Sequence, residues 1–127
     1  MNRSPVPALR KPHAGLLLLL LALAACAAAP RPLQFVSGPD PVYPAAAREA
    51  GVEGFVTVRY DVTAEGSVTN ARVLEAVPAG AFETAALAAI AQWRFRPPAV
   101  DGRNVPLPGR VSTLEFRLGD SDAYAGY

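Results

Sequence analysis

Strict alternation over one stretch constrains this chain more than any other feature. Beyond Gly54, the residues Val56, Val58, Tyr60 and Val62 fall on one side of an extended backbone, and Thr57, Arg59 and Asp61 fall on the other. Successive side chains of a strand point to opposite faces, so this segment predicts a β-strand with one buried face and one wet face. Thr63-Ala64-Glu65-Gly66 reads as a turn, with Gly66 able to take the positive φ that a tight hairpin requires. Ser67 to Val77 then predicts the returning strand. Val68 cannot share a face with Ala71 and Val73 unless one residue is extra, which predicts a bulge near Thr69-Asn70.

The apolar face needs a covering layer, and the next segment supplies it. From Ala81 to Trp93 the residues Phe82, Ala86, Ala89, Ile90 and Trp93 recur at helical spacing and make one apolar stripe, with alanines that permit close approach to a sheet. Trp93-Arg94-Phe95-Arg96-Pro97-Pro98 closes that helix, because the proline pair forbids its continuation. Trp93 and Phe95 are expected as core anchors, and Arg94 and Arg96, which alternate with them, as solvated. Pro97 to Pro108 reads as a loop with a turn at Asp101-Gly102, and Arg110 to Leu118 alternates again. There Ser112, Leu114, Phe116 and Leu118 face one side, with Val111, Thr113, Glu115 and Arg117 on the other. A short helix, Pro44 to Ala50, begins at a proline and stops at Gly51. The order α-β-β-α-β predicts an α+β fold over residues 42–118, a two-layer sandwich of a three-stranded antiparallel sheet and two helices. The segment 119–127 is a polar tail.

The N-terminal third follows a different logic. Met1 to His13 is basic, and a Leu/Ala run and then small residues follow it, which is the layout of a secretory signal over 1–25. The apolar run from Ala14 to Ala29 falls short of the roughly 20 residues that a spanning helix needs. Leu23-Ala24-Ala25-Cys26 resembles the lipobox of bacterial lipoproteins, which implies a lipidated Cys26 as the first mature residue. Several acyl chains on one residue give stable membrane attachment. Ala27 after the cysteine implies sorting to the outer membrane rather than the inner one. Residues 26–41 contain Pro30, Pro32, Pro39 and Pro41 and read as a short, stiff tether.

Charge and chemistry narrow the function. The chain of 127 residues holds 12 basic and 11 acidic residues, so nothing in it favours nucleic acid. Its single cysteine rules out an internal disulfide, and its single histidine, His13, precedes the apolar run. After the signal there is thus no histidine and no cysteine other than Cys26, which excludes serine-histidine, cysteine-histidine and histidine-metal chemistry. Asp61, Glu65, Asp101 and Glu115 fall on wet faces or turns, while Glu49 and Glu53 flank a helix end. No enzyme, metal or cofactor is expected.

An ordered set of short motifs gives the chain a resemblance. Tyr43-Pro44, Gly54-Phe55-Val56, the Glu65-Gly66 turn, Val68-Thr69-Asn70, Pro78, Phe82-Glu83 with Ala85-Ala86, Trp93-Arg94-Phe95 with Pro97, Gly102 and the Phe116 strand stand in sequence from about Pro41 to Leu118. Together they resemble the C-terminal domain of the TonB family. The resemblance implies a periplasmic domain that grips an extended segment of an outer-membrane transporter by β-augmentation along the last strand, at Val111, Ser112, Thr113, Leu114, Glu115, Phe116 and Arg117. It also implies that Tyr43 and Pro44 meet the transporter. Asp40-Pro41-Val42 stands where family members often place a glutamine, so no contact is carried over from there. A full transducer of the family has an uncleaved membrane helix with an internal histidine and a long Pro-rich spacer, both unlike this chain. The expectation is therefore a lipid-anchored periplasmic binding module. The alternatives are an inner-membrane transducer with an uncleaved helix and an envelope lipoprotein that forms a homodimer through the last strand.

Overall fold

A computed structural model describes residues 28–119, together with Pro5. Seven strands and two helices follow one another: β1 (Gln34–Ser37), α1 (Ala45–Glu49), β2 (Gly54–Val62), β3 (Val68–Val77), α2 (Glu83–Ala91), β4 (Arg94–Arg96), β5 (Ala99–Val100), β6 (Arg103–Asn104) and β7 (Leu107–Phe116). The main sheet is antiparallel with order β3-β2-β7. The expected α+β arrangement, a three-stranded antiparallel sheet with two helices, is present.

Alternation in β2 does what its sequence requires. Val56, Val58, Tyr60 and Val62 are each at most 1% exposed, and β7 contributes Ser112, Leu114 and Phe116 to the same face. The covering helix α2 brings Ala86, Ala89 and Ile90, with Phe82 just ahead of it and Trp93 just after it, all buried. At its start Glu83 reaches back past the N-cap Phe82, and the backbone N–H of Gly80 donates to its carboxylate at 2.8 and 2.9 Å, which ties the preceding turn to the helix. Near α1, Tyr43 meets Phe82 and Phe116 edge-on at 5.5 and 5.8 Å, and these two rings stack at 4.3 Å. The opposite end of the core is closed by Phe35, Tyr60, Trp93 and Phe95.

Both hairpins turn where glycine permits. Gly66 has φ +86°, and the N–H of Phe95 donates to its carbonyl at 2.9 Å. Asp101 and Gly102 both take positive φ between β5 and β6. The bulge expected near Thr69-Asn70 lies at Asn70 and Ala71, which together oppose one residue of β2, and Asn70 has φ 52°. A second irregularity was not anticipated. Leu74 is also extra, and it is turned outward to 52% exposure. The inward residues of β3 are Val68, Ala71, Val73 and Ala76, and their 3-2-3 spacing requires both insertions.

Two expectations need correction. Residues 31–38 are not a tether: β1 pairs antiparallel with β4, and Arg31 bridges Ala99. Phe35 supplies the reason, with its ring edge-on to Trp93 and Phe95 at 5.6 Å each. Four prolines and the outward Val36 hide this alternation in the sequence. The last strand starts at Leu107 rather than Arg110. It takes in Pro108 and Gly109 as a bulge opposite Asp61, whose carboxylate accepts the Gly109 N–H at 2.8 Å. The apolar run, Cys26 and all of the polar tail after Gly119 lie outside the described residues.

Candidate functional site

Among the described residues, two strands of the main sheet present a free edge, β3 and β7. They differ in quality. The β3 edge is interrupted at Asn70 and at Leu74, and bulges blunt an edge by twisting it out of line. Along β7, Arg110 to Phe116 oppose Tyr60 to Gly54 one for one without a shift. An unbroken stretch of strand with no outer neighbour offers an even row of main-chain N–H and C=O groups to an incoming chain.

The residues expected from the sequence to bind a partner divide into two sets. Val111, Thr113, Glu115 and Arg117 are exposed on the open face. Thr113 shares a 2.9 Å hydroxyl contact with Thr57, and Arg117 pairs with Glu115 at 3.0 Å. Ser112, Leu114 and Phe116 have buried side chains, so they offer a partner only main-chain groups. The hydroxyl of Ser112 is itself engaged, 2.9 Å from that of Tyr60.

Tyr43 and Pro44 sit at the Phe116 end of this edge, brought there by the packing of Tyr43 on Phe116. The Tyr43 hydroxyl donates to the carbonyl of Val52, and the Arg48 guanidinium lies 4.9 Å from its ring centre. Burial pushes the Tyr43 phenol above its ordinary range, nearby Glu53 adds to this, and Arg48 opposes it. Pro44 precedes the first turn of α1. At the other end of the edge, Asp61 is held below the usual carboxylate range, first by the Asn70 side chain at 3.0 Å and then by the Gly109 N–H.

The sequence reading missed one feature beside the edge. Leu33 and Phe35 of the β1 segment and Arg110 and Ser112 of β7 flank a partly open cavity of about 170 Å³, which Tyr60, Trp93 and Phe95 also line. The alternation of Leu33 with Phe35 was the available signal.

The chain matches the family model described as "Gram-negative bacterial TonB protein C-terminal" over residues 39–118. It is similar to Protein TonB of Yersinia enterocolitica, 40% identical over 84 residues, which is 66% of this chain and 30% of that one. Protein TonB of Escherichia coli (strain K12) is 40% identical over 79 residues, 62% of this chain and 30% of its own. The chain thus spans about a third of the length of these curated relatives. Among solved structures, the solution NMR structure of the Pseudomonas aeruginosa TonB CTD aligns with a TM-score of 0.57 and 31% identity, covering 70% of this chain and 89% of that one. The TonB2 protein of Vibrio anguillarum aligns with a TM-score of 0.52 and 37% identity, covering 64% and 76%.

Proposed function

Because the chain belongs to the Gram-negative TonB C-terminal family, we propose that its domain captures an extended segment of an outer-membrane TonB-dependent transporter as an added strand along β7. The domain acts as a binding module in transport and not as an enzyme. The observation that carries this reading is the unshifted, uncovered edge from Arg110 to Phe116. Main-chain pairing supplies the affinity in this mode, and alternate side chains supply the specificity. Tyr43 and Pro44 lie near one end of the captured strand.

Amide hydrogen exchange on the full chain tests the reading. The ligand is a synthetic peptide copying the periplasmic N-terminal segment of an outer-membrane transporter. Exchange slowed along residues 110–116 is the expected result. Slowing along β3 instead, or none anywhere, would sink the proposal.

The anchor in this proposal is an acylated Cys26 on the periplasmic face of the outer membrane. Arg31 already belongs to the fold, so at most about 18 Å of extended chain separates it from Cys26. Cys26→Ser is expected to abolish incorporation of labelled fatty acid and to release the protein from the membrane fraction. An intact Cys26→Ser chain that stays in the inner membrane would favour the uncleaved transducer instead.

A further inference from the structure

The cavity beside β7 has a chemical peculiarity. Its walls are mixed: Leu33, Phe35, Trp93 and Phe95 supply apolar surface, and Tyr60, Arg110 and Ser112 supply polar groups. Its polar hydroxyls, those of Tyr60 and Ser112, satisfy each other. Arg110 differs from them. Its Nε is buried and makes no hydrogen bond among the described residues. A guanidinium N–H without an acceptor is costly in such a place, and the cost is removed by any ligand that brings one.

Strand geometry says what reaches this cavity. In a strand added to β7, the residue opposite Arg110 or Ser112 points its side chain to the same face as theirs. That is the core-side face, on which Leu33 and Phe35 lie, and not the open face of Val111 and Thr113. A 150 Å³ apolar cavity accepts a benzene-sized group, so about 170 Å³ holds one side chain. The aromatic walls suit methylenes, and the Arg110 Nε–H suits a charged acceptor, which forms a stronger bond than a neutral one.

We infer that this cavity is a side-chain subsite of the docking edge, and that it takes a glutamate of the captured segment. The carboxylate accepts from Nε of Arg110, and the stem packs on Phe35 and Leu33. The inference rests on the reading of β7 as the capturing edge. It adds a sequence preference at one position of the partner and a role for β1, which forms one wall.

Trp93 is the only tryptophan and lines the cavity, so its emission reports entry. The probes are three short acetylated, amidated peptides of alternating threonine and valine, with a central valine replaced by glutamate, glutamine or alanine. Titrated into the full chain at low salt, the glutamate peptide is expected to bind about tenfold more tightly than the other two and to shift the Trp93 emission. Arg110→Gln is expected to erase the preference, so that the glutamate, glutamine and alanine peptides bind it alike, with an unaltered urea midpoint as the folding control. Leu33→Phe fills the cavity and is expected to remove the preference by sterics with Arg110 in place. Equal binding of the three peptides overturns the subsite and leaves the edge standing, as does a glutamate preference that survives in Arg110→Gln. Failure of all three to bind removes the edge and the subsite together.

Discussion

Gly66 faces two demands at once. Its φ of +86° is strained for any L side chain, and a Cβ built there would stand 1.9 Å from the carbonyl oxygen of Phe95. Backbone rather than a flexible side chain is in the way, so the β2–β3 turn or β4 must shift. Gly66→Ala is expected to destabilise the domain by about 2–4 kcal/mol in urea unfolding; a midpoint equal to wild type would contradict this. Asp61 makes a second residue-level prediction. Its folded pKa lies below the ordinary value of 3.8, because Asn70 and the Gly109 N–H bond the charged form. Between the folded and unfolded values the unfolded chain binds more protons, so stability falls as pH falls through that window and is complete above it. Wild type should therefore lose stability more steeply than Asp61→Asn below about pH 4, with no difference in slope near neutrality. Parallel acid profiles would show that these hydrogen bonds contribute nothing.

Among elements, β1 departs furthest from its sequence. Phe35 packs edge-on against Trp93 and Phe95, and Gly38 lets the chain pass over the indole, where a Cβ would come within 2.3 Å of Trp93 Cδ1. The indole N–H then donates to the carbonyl of Pro39 at 3.2 Å. Phe35→Ala is expected to cost about 2–3 kcal/mol by chemical denaturation, whereas a free tether would give no change. Legibility follows from range. Alternation in β2 and in β7 from Arg110, the stripe on α2 and the turn at Gly66 are set by neighbours in sequence, and all could be read. The partner of β1 is some sixty residues away, and its short alternation was masked by prolines. For the same reason β7 was legible as a strand, but the cavity was not. It exists only where β1 and β7 meet, and Arg110 read as nothing more than the start of a strand.

At the scale of the molecule, one core joins the two layers and the β1–β4 ribbon, through a continuous set that runs from Phe82 and Phe116 to Trp93 and Phe95. Unfolding should therefore be a single cooperative transition, with Trp93 emission and far-ultraviolet circular dichroism giving the same midpoint. An earlier transition in the emission alone would mean that the ribbon melts as a separate unit. The ribbon also decides how the domain carries tension. A pull on the N-terminal side arrives first at Arg31, whose main chain bridges Ala99 and whose guanidinium donates to the carbonyl of Pro97 at 2.9 Å, and then at Gln34–Ser37. The three-stranded sheet lies beyond this ribbon along the chain, and the ribbon packs on it through Leu33, Phe35, Trp93 and Phe95. Force applied along the chain from that side is therefore expected to peel β1 from β4 before it reaches β2 or β7, which a pulling experiment would read as a small first extension ahead of the main rupture.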